Sequence, residues 1–251
     1  MHTLRPLVVI NVVGLTHSML GPDTPNISAV AADGFARPLG TVLPAVTCSA
    51  QATLLTGLLP RDHGIVGNGW YFRDLAEVMF WRQSNRLVQG SRIYDIARKQ
   101  DPAYTVAKMF WWYNMYADVN FSVTPRPSYP ADGRKLFDSY SHPARLKDEL
   151  QERLGVFPLL KFWGPGAGIE SSAWIADATT LVIDRQRPSL TLVYLPHLDY
   201  NLQRLGPDDT RCRDDIRAVD AEAGKLIAAA RRQGADVVVL SEYGITAVDR
   251  P

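Results

Sequence analysis

Leu7–Val13, an apolar run rich in Val and broken only by Asn11, constrains the fold of this chain more than any other stretch. Such a run suits a central strand of a parallel sheet, covered on both faces. Further strands are expected at Ala36–Leu43, Tyr104–Phe110, Leu190–Leu195 and Asp236–Ser241. Thr24-Pro25-Asn26 opens a helix that ends near Gly34, since Pro is well placed in a first turn. Helices are also expected at Ser49–Leu55, Ser91–Lys99, Pro143–Leu154, Ser172–Asp184 and Asp209–Arg232. Strands alternating with helices predict an α/β fold, a mostly parallel sheet with helices on both faces. Ligands in such sheets sit beyond the carboxyl ends of the strands. Thr47, Asp199 and Glu242 each follow a strand candidate.

The stretch from Thr41 to Asn68 carries the chemistry. A β-type segment ends at Pro44, and a small-residue turn leads into an apolar helix with Thr47 and Cys48 at its start. A helix start presents unpaired backbone N–H groups and the positive end of the dipole, so it favours an anion. A nucleophile there is placed to attack a phosphoryl or sulfuryl group. Thr47 has a second reading as a helix N-cap. Cys48 is either a reactive thiolate or a small buried hydrophobe. Asn68, between Gly67 and Gly69, suits either a turn or an oxyanion contact.

Thr47, Thr56-Gly57-Leu58, Pro60, His63-Gly64-Ile65 and Asn68 follow one another in an order and spacing that resembles the nucleotide pyrophosphatase/phosphodiesterase family of the alkaline phosphatase superfamily. Thr24-Pro25-Asn26 resembles that family's first helix start; from Asn68 onward the likeness is patchy. The resemblance implies an alkaline-phosphatase-like sheet, a nucleophilic Thr47, an Asn68 that binds a phosphate oxygen, and a chiefly structural His63. It also implies two metal ions held by Asp and His at three places. At the first, Val13-Gly14 stands where the family has Asp-Gly, with Asn11 two residues earlier on the same strand face. At the second, Asp199 and Gly206-Pro207 are present but Gln203 replaces His. At the third, Ser241-Glu242-Tyr243-Gly244 replaces Ser-Asp-His-Gly.

The oxygen-rich remainder, Asp199 and Glu242 with Asn11 and Gln203, suits Mg²⁺ or Mn²⁺ better than Zn²⁺. A divalent ion (Mg, Mn or Zn) on Asp199 and Glu242 is therefore one expectation, and a site without metal is the other. His197 is a further candidate ligand or general acid. Asp74, Arg82 and Arg92 are candidate substrate contacts without a register. The family's last His has no counterpart before Pro251, so residues 1–251 are expected to form a single domain, incomplete at its C-terminus. Residues 70–166, rich in Trp, Tyr and Phe, are expected to be an insertion that covers the site, or in part a second aromatic core.

Three activities follow from the resemblance. The first is hydrolysis of a phosphodiester or pyrophosphate through Thr47 with metal assistance. The others are a catalytically silent phosphate-binding relative and a phosphoryl or sulfuryl transferase. The expected partner is a small phosphate ester. A net charge of +1 gives no bulk attraction to a nucleic acid polymer or a membrane. No apolar run reaches the roughly 20 residues of a membrane span. Arg5 with Leu7–Leu15 imitates a short secretory segment, with Ala29-Val30-Ala31 as a cleavage site, but Gly21-Pro22 interrupts it and a buried strand fits better. The two cysteines, Cys48 and Cys212, are too few for a disulfide framework, and a reducing, cytoplasmic location is expected. The oligomeric state is not legible.

Overall fold

A computed structural model describes residues 5–134 and 136–248; Pro251, where the sequence ends, lies outside the described residues. The first half contains β1 (Leu7–Val12), α1 (Pro25–Asp33), α2 (Thr47–Thr56), α3 (Pro60–His63), β2 (Gly69–Phe72), β3 (Glu77–Phe80), α4 (Ile93–Gln100) and β4 (Val106–Met109). The second contains β5 (Phe121–Pro125), β6 (Ser139–His142), α5 (Arg145–Leu154), α6 (Ile169–Gln186), β7 (Leu190–Leu195), α7 (His197–Leu205), α8 (Cys212–Arg232) and β8 (Asp236–Leu240).

Six strands form the main sheet in the order β6-β5-β4-β7-β1-β8. Every pairing is parallel except β5 with β6. The period of two explains how β1 is covered. Val8, Ile10 and Val12 face a core shared with α6 and α8, where Ile175, Val182, Ile183, Val219 and Leu226 are buried. Leu7 and Val9 face the opposite core, with Leu55 of α2 and Tyr94 of α4. Helices thus cover both faces, as the continuous apolar run requires.

Two expectations need correction. Ala36–Leu43 forms no strand; among the described residues nothing pairs with it, and β propensity without a neighbour makes no ladder. The segment 70–166 is also more than a cover, because β4, β5 and β6 are three of the six strands of the main sheet. Among the described residues, the antiparallel pair β2–β3 alone forms a separate sheet. The short helix α7 immediately after β7 gave no sequence signal of its own.

Lys108 of β4 is fully buried, its Nζ donating to the Tyr113 carbonyl at 2.7 Å and lying 5.8 Å from the Tyr94 ring centroid. Burial, aided by Arg92 and opposed by Asp95, pushes its pKa from 10.5 down to about 7. The unfolded chain therefore holds an extra proton between about pH 7 and pH 10.5, so stability rises with pH across that window. Chemical denaturation of Lys108→Met should lose that rise and show a gain at pH 7, on the order of a few kcal/mol. A slope unchanged by the substitution would mean the ammonium stays charged in the fold.

Candidate active site

The motif from Thr47 to Asn68 folds as its residues dictate. Val46 takes the N-cap position of α2 and makes no side-chain cap, so Thr47 is the first helical residue and its hydroxyl has no capping duty. The capping reading of Thr47 therefore fails. Asn68 does that work from a distance, its Oδ1 accepting the Cys48 N–H at 3.0 Å. This leaves the Asn68 amide NH₂ as a donor beside Thr47. His63 accepts the Ile65 N–H on Nδ1 at 3.1 Å and meets the Thr53 hydroxyl through Nε2 at 3.0 Å. Burial lowers its pKa, in keeping with a neutral ring that braces α2 against α3. Gly57, at φ +69°, ends α2 in the left-handed region, where glycine is favoured.

Glu242, just after β8, is buried beneath this helix start. Its Oε1 accepts the Asn11 amide at 2.6 Å and the Gln51 amide at 2.6 Å. Desolvation pushes its pKa up to about 7, against the opposing pull of Gln51, Asn11 and the nearby Thr47 hydroxyl. Its Oε2 and the Asn11 Oδ1 are buried and have no hydrogen-bond partner among the described residues. Gln51 also accepts the Trp112 N–H on Oε1 at 2.7 Å, which fixes the direction of its amide.

Gly14, at φ +84°, lets the turn after β1 run against α7; a Cβ there would lie 3.6 Å from the Asp199 backbone and 3.2 Å from Leu202. Asp199 thereby reaches the same neighbourhood and raises the pKa of Glu242. Gln203, one helical turn on, holds both Asp199 oxygens with Nε2 at 2.8 Å each. Burial raises the Asp199 pKa, and Gln203 and Tyr243 oppose it. The Tyr243 phenol borders Asp199 and Thr47, and burial keeps it protonated.

The other candidates separate from this cluster. Val13 is buried in the core. His197 is paired with Asp215 of α8, Nε2 to Oδ1 at 2.8 Å, while burial lowers its pKa. Burial raises the Cys48 thiol far above its ordinary range, Tyr113 opposes the shift and Glu242 adds to it. A protonated, enclosed thiol is a poor nucleophile. Arg92 is held by Asp95 at 2.8 Å, Arg82 leans on Met79, and Asp74 lies in an exposed turn. Sequence reasoning missed Gln51; it lies four positions after Thr47 and so on the same face of α2, and that spacing is the signal that could have found it.

Among the described residues no three His, Cys, Asp or Glu side chains come together as a metal cluster. A nitrogen-ligated zinc pair does not fit such a donor set. Two unpartnered buried oxygens, Glu242 Oε2 and Asn11 Oδ1, do suit one hard cation. Among the described residues, no Lys, Arg or His is a hydrogen-bond or charge partner of Glu242 or Asp199.

A family model described as type I phosphodiesterase / nucleotide pyrophosphatase matches residues 7–251. An uncharacterized pyrophosphatase/phosphodiesterase of Schizosaccharomyces pombe is 24% identical over 227 residues, covering 88% of this chain and 41% of that protein. Phosphonoacetate hydrolase from Sinorhizobium meliloti, in complex with phosphonoacetate, superposes with a TM-score of 0.68 at 17% identity, covering 96% of this chain and 56% of that one. The same enzyme with phosphonoformate gives 0.66 at 16%, with the same coverage of both chains. An inactive murine ectonucleotide pyrophosphatase/phosphodiesterase 5, in complex with AMP, gives 0.64 at 17%, covering 98% and 59%. At these identities the structures show a shared, alkaline-phosphatase-like fold. The chain spans less than two thirds of the length of each.

Neither Cys48 nor Cys212 should react with a thiol reagent in the native protein, both being buried and free. Dithionitrobenzoate should report no fast thiol until denaturant is added. One fast equivalent, lost in Cys48→Ala, would reopen the cysteine as nucleophile.

Proposed function

Because the chain belongs to the type I phosphodiesterase / nucleotide pyrophosphatase family, we propose that it hydrolyses a small phosphodiester or pyrophosphate with the Thr47 hydroxyl as nucleophile. The observation that carries this reading is an uncapped Thr47 hydroxyl at the start of α2, beside the free Asn68 amide and the buried Glu242.

Thr47 Oγ1 forms a bond to phosphorus as the ester oxygen leaves, and the hydroxyl proton ends on the leaving alcohol. The Asn68 NH₂ donates to a non-bridging oxygen, and the N-terminal dipole of α2 favours the growing negative charge. Water then forms a new bond to phosphorus and releases Thr47. Two carboxyl groups beside an anionic ester repel it unless positive charge intervenes. Glu242 Oε2 and Asn11 Oδ1 would hold a divalent cation, and Asp199 would join them by exchanging the Gln203 amide for it. Such an ion, when bound, lowers the pKa of a hydroxyl and neutralises phosphoryl charge.

A second reading is a silent phosphate-binding relative. The Gln203 amide on both Asp199 oxygens favours it, because that contact occupies a carboxylate the family uses for metal. No helix is long and apolar enough to cross a membrane among the described residues. A cytoplasmic location belongs to the same proposal, supported by two unpaired buried thiols.

Turnover of bis-p-nitrophenyl phosphate with Mg²⁺, Mn²⁺ or Zn²⁺ tests the reading. Thr47→Ala should lose at least about a hundredfold in rate with the fold intact, while Cys48→Ala keeps activity. No turnover with any ion would favour the silent relative, and transfer to an added alcohol would identify a transferase. Cation binding has its own readout. Mg²⁺ or Mn²⁺ at a hundredfold excess over Kd should stabilise the protein by about 2.7 kcal/mol, and Glu242→Gln should abolish the gain. An equal shift in that variant would place the ion elsewhere.

A further inference from the structure

The turn that follows β4, Phe110–Asn114, holds two bulky residues in the left-handed region, Phe110 at φ +61° and Tyr113 at φ +53°. Neither is glycine, so each conformation is strained and persists only where neighbours over-determine it. Those neighbours are present. Asn114, itself buried, donates through Nδ2 to the carbonyls of Lys108, Trp111 and Val123 at 2.9, 3.3 and 3.2 Å. The Tyr113 carbonyl takes two donors from different parts of the chain, Lys108 Nζ at 2.7 Å and Asn85 Nδ2 at 2.8 Å.

The same turn reaches the candidate site by three contacts. The Trp112 N–H donates to Gln51 Oε1 at 2.7 Å, and Gln51 in turn donates to Glu242. The Tyr113 phenol meets the Cys48 thiol, next in sequence to Thr47. The Trp112 ring lies 4.8 Å from that of Trp81, whose N–H donates to the Asn68 carbonyl at 2.8 Å. An apolar side chain would fill the fully buried position of Lys108 at lower cost, since a buried ammonium gives up its water. What the ammonium adds is a charge-assisted bond to the carbonyl of a strained residue.

We propose that Lys108 is a positioning residue: by holding the Tyr113 carbonyl it fixes the Phe110–Asn114 turn, and through that turn the contacts of Gln51 and Cys48 in α2. Its bearing on catalysis rests on the hydrolase reading above; its hold on the turn does not. The arrangement sets precision against stability. Lys108→Met should stabilise the fold at pH 7 and yet loosen the turn, whereas a side chain with a packing role alone would move both in one direction.

Two readouts test the proposal. Dithionitrobenzoate should label one thiol of Lys108→Met at least about tenfold faster than in the unsubstituted protein, because a loosened Tyr113 uncovers Cys48 by local opening. Adding Cys48→Ala should remove that thiol. In turnover of bis-p-nitrophenyl phosphate with Mg²⁺ or Mn²⁺, kcat should fall at least about tenfold while KM stays within about twofold, since misplaced groups cost rate more than binding. Labelling no faster than in the unsubstituted protein would overturn the proposal, and so would an unchanged kcat. An unsubstituted protein without turnover would remove the hydrolase reading alone and leave the labelling to decide. Should Lys108→Met fail to fold, Asn85→Ala, which takes the other donor from the same carbonyl, carries the same expectations and the same overturning results.

Discussion

The carboxyl group of Glu242 joins three parts of the chain that are far apart in sequence. Asn11 of β1 and Gln51 of α2 both donate to one of its oxygens at 2.6 Å, and Glu242 itself follows β8. A buried carboxyl without such donors is costly, so these contacts fix where the end of the last strand and the start of α2 must lie. Gln51 extends the constraint to the Trp112 backbone. Trp112 in turn stacks near Trp81 and Trp163, with ring centroids 4.8 and 6.0 Å away. The Gln51 amide and the contact of Cys48 with Tyr113 therefore anchor the aromatic segment to the site.

Electrostatics around this group explain why the site asks for a partner of opposite sign. The Asp199 carboxylate makes Glu242 harder to ionise, and among the described residues the hydrogen-bond partners that oppose the burial of the two are amides, a hydroxyl and a phenol. Amide donors satisfy one oxygen of Glu242 and both of Asp199. They carry no net charge, so they stabilise the carboxyl groups without attracting an anionic ester. In the proposed reaction that attraction would come from the helix start of α2, where Asn68 is held by the Cys48 N–H.

Much of the architecture was readable from periodicity because burial on both faces leaves an unbroken apolar run. Leu190–Leu195 was read with its observed bounds, and the expected helices at 143–154 and 209–232 differ only at their starts. The short strands β5 and β6 were not readable, since four or five residues with Pro or Ser carry little pattern. Residues 36–43 were read as a strand, yet residues 37–41 are exposed without a break and no ladder forms. A ladder is a property of two strands, however, and no local rule reports the absence of the second.

By itself the sequence determined the fold class, the helix start at Thr47 and the order of motif residues through Asn68, because these depend on local turns, caps and the period of burial. It also showed that Val13, Gln203 and Tyr243 depart from the ligands the motif implies. Only the tertiary structure decided what those departures mean. It brought Gln51 onto Glu242, tied Asp199 to Gln203, drew His197 away to Asp215 and enclosed the Cys48 thiol. Each of these outcomes depends on a neighbour supplied by another element, and the charge state of a buried group is set by such neighbours more than by its own chemistry.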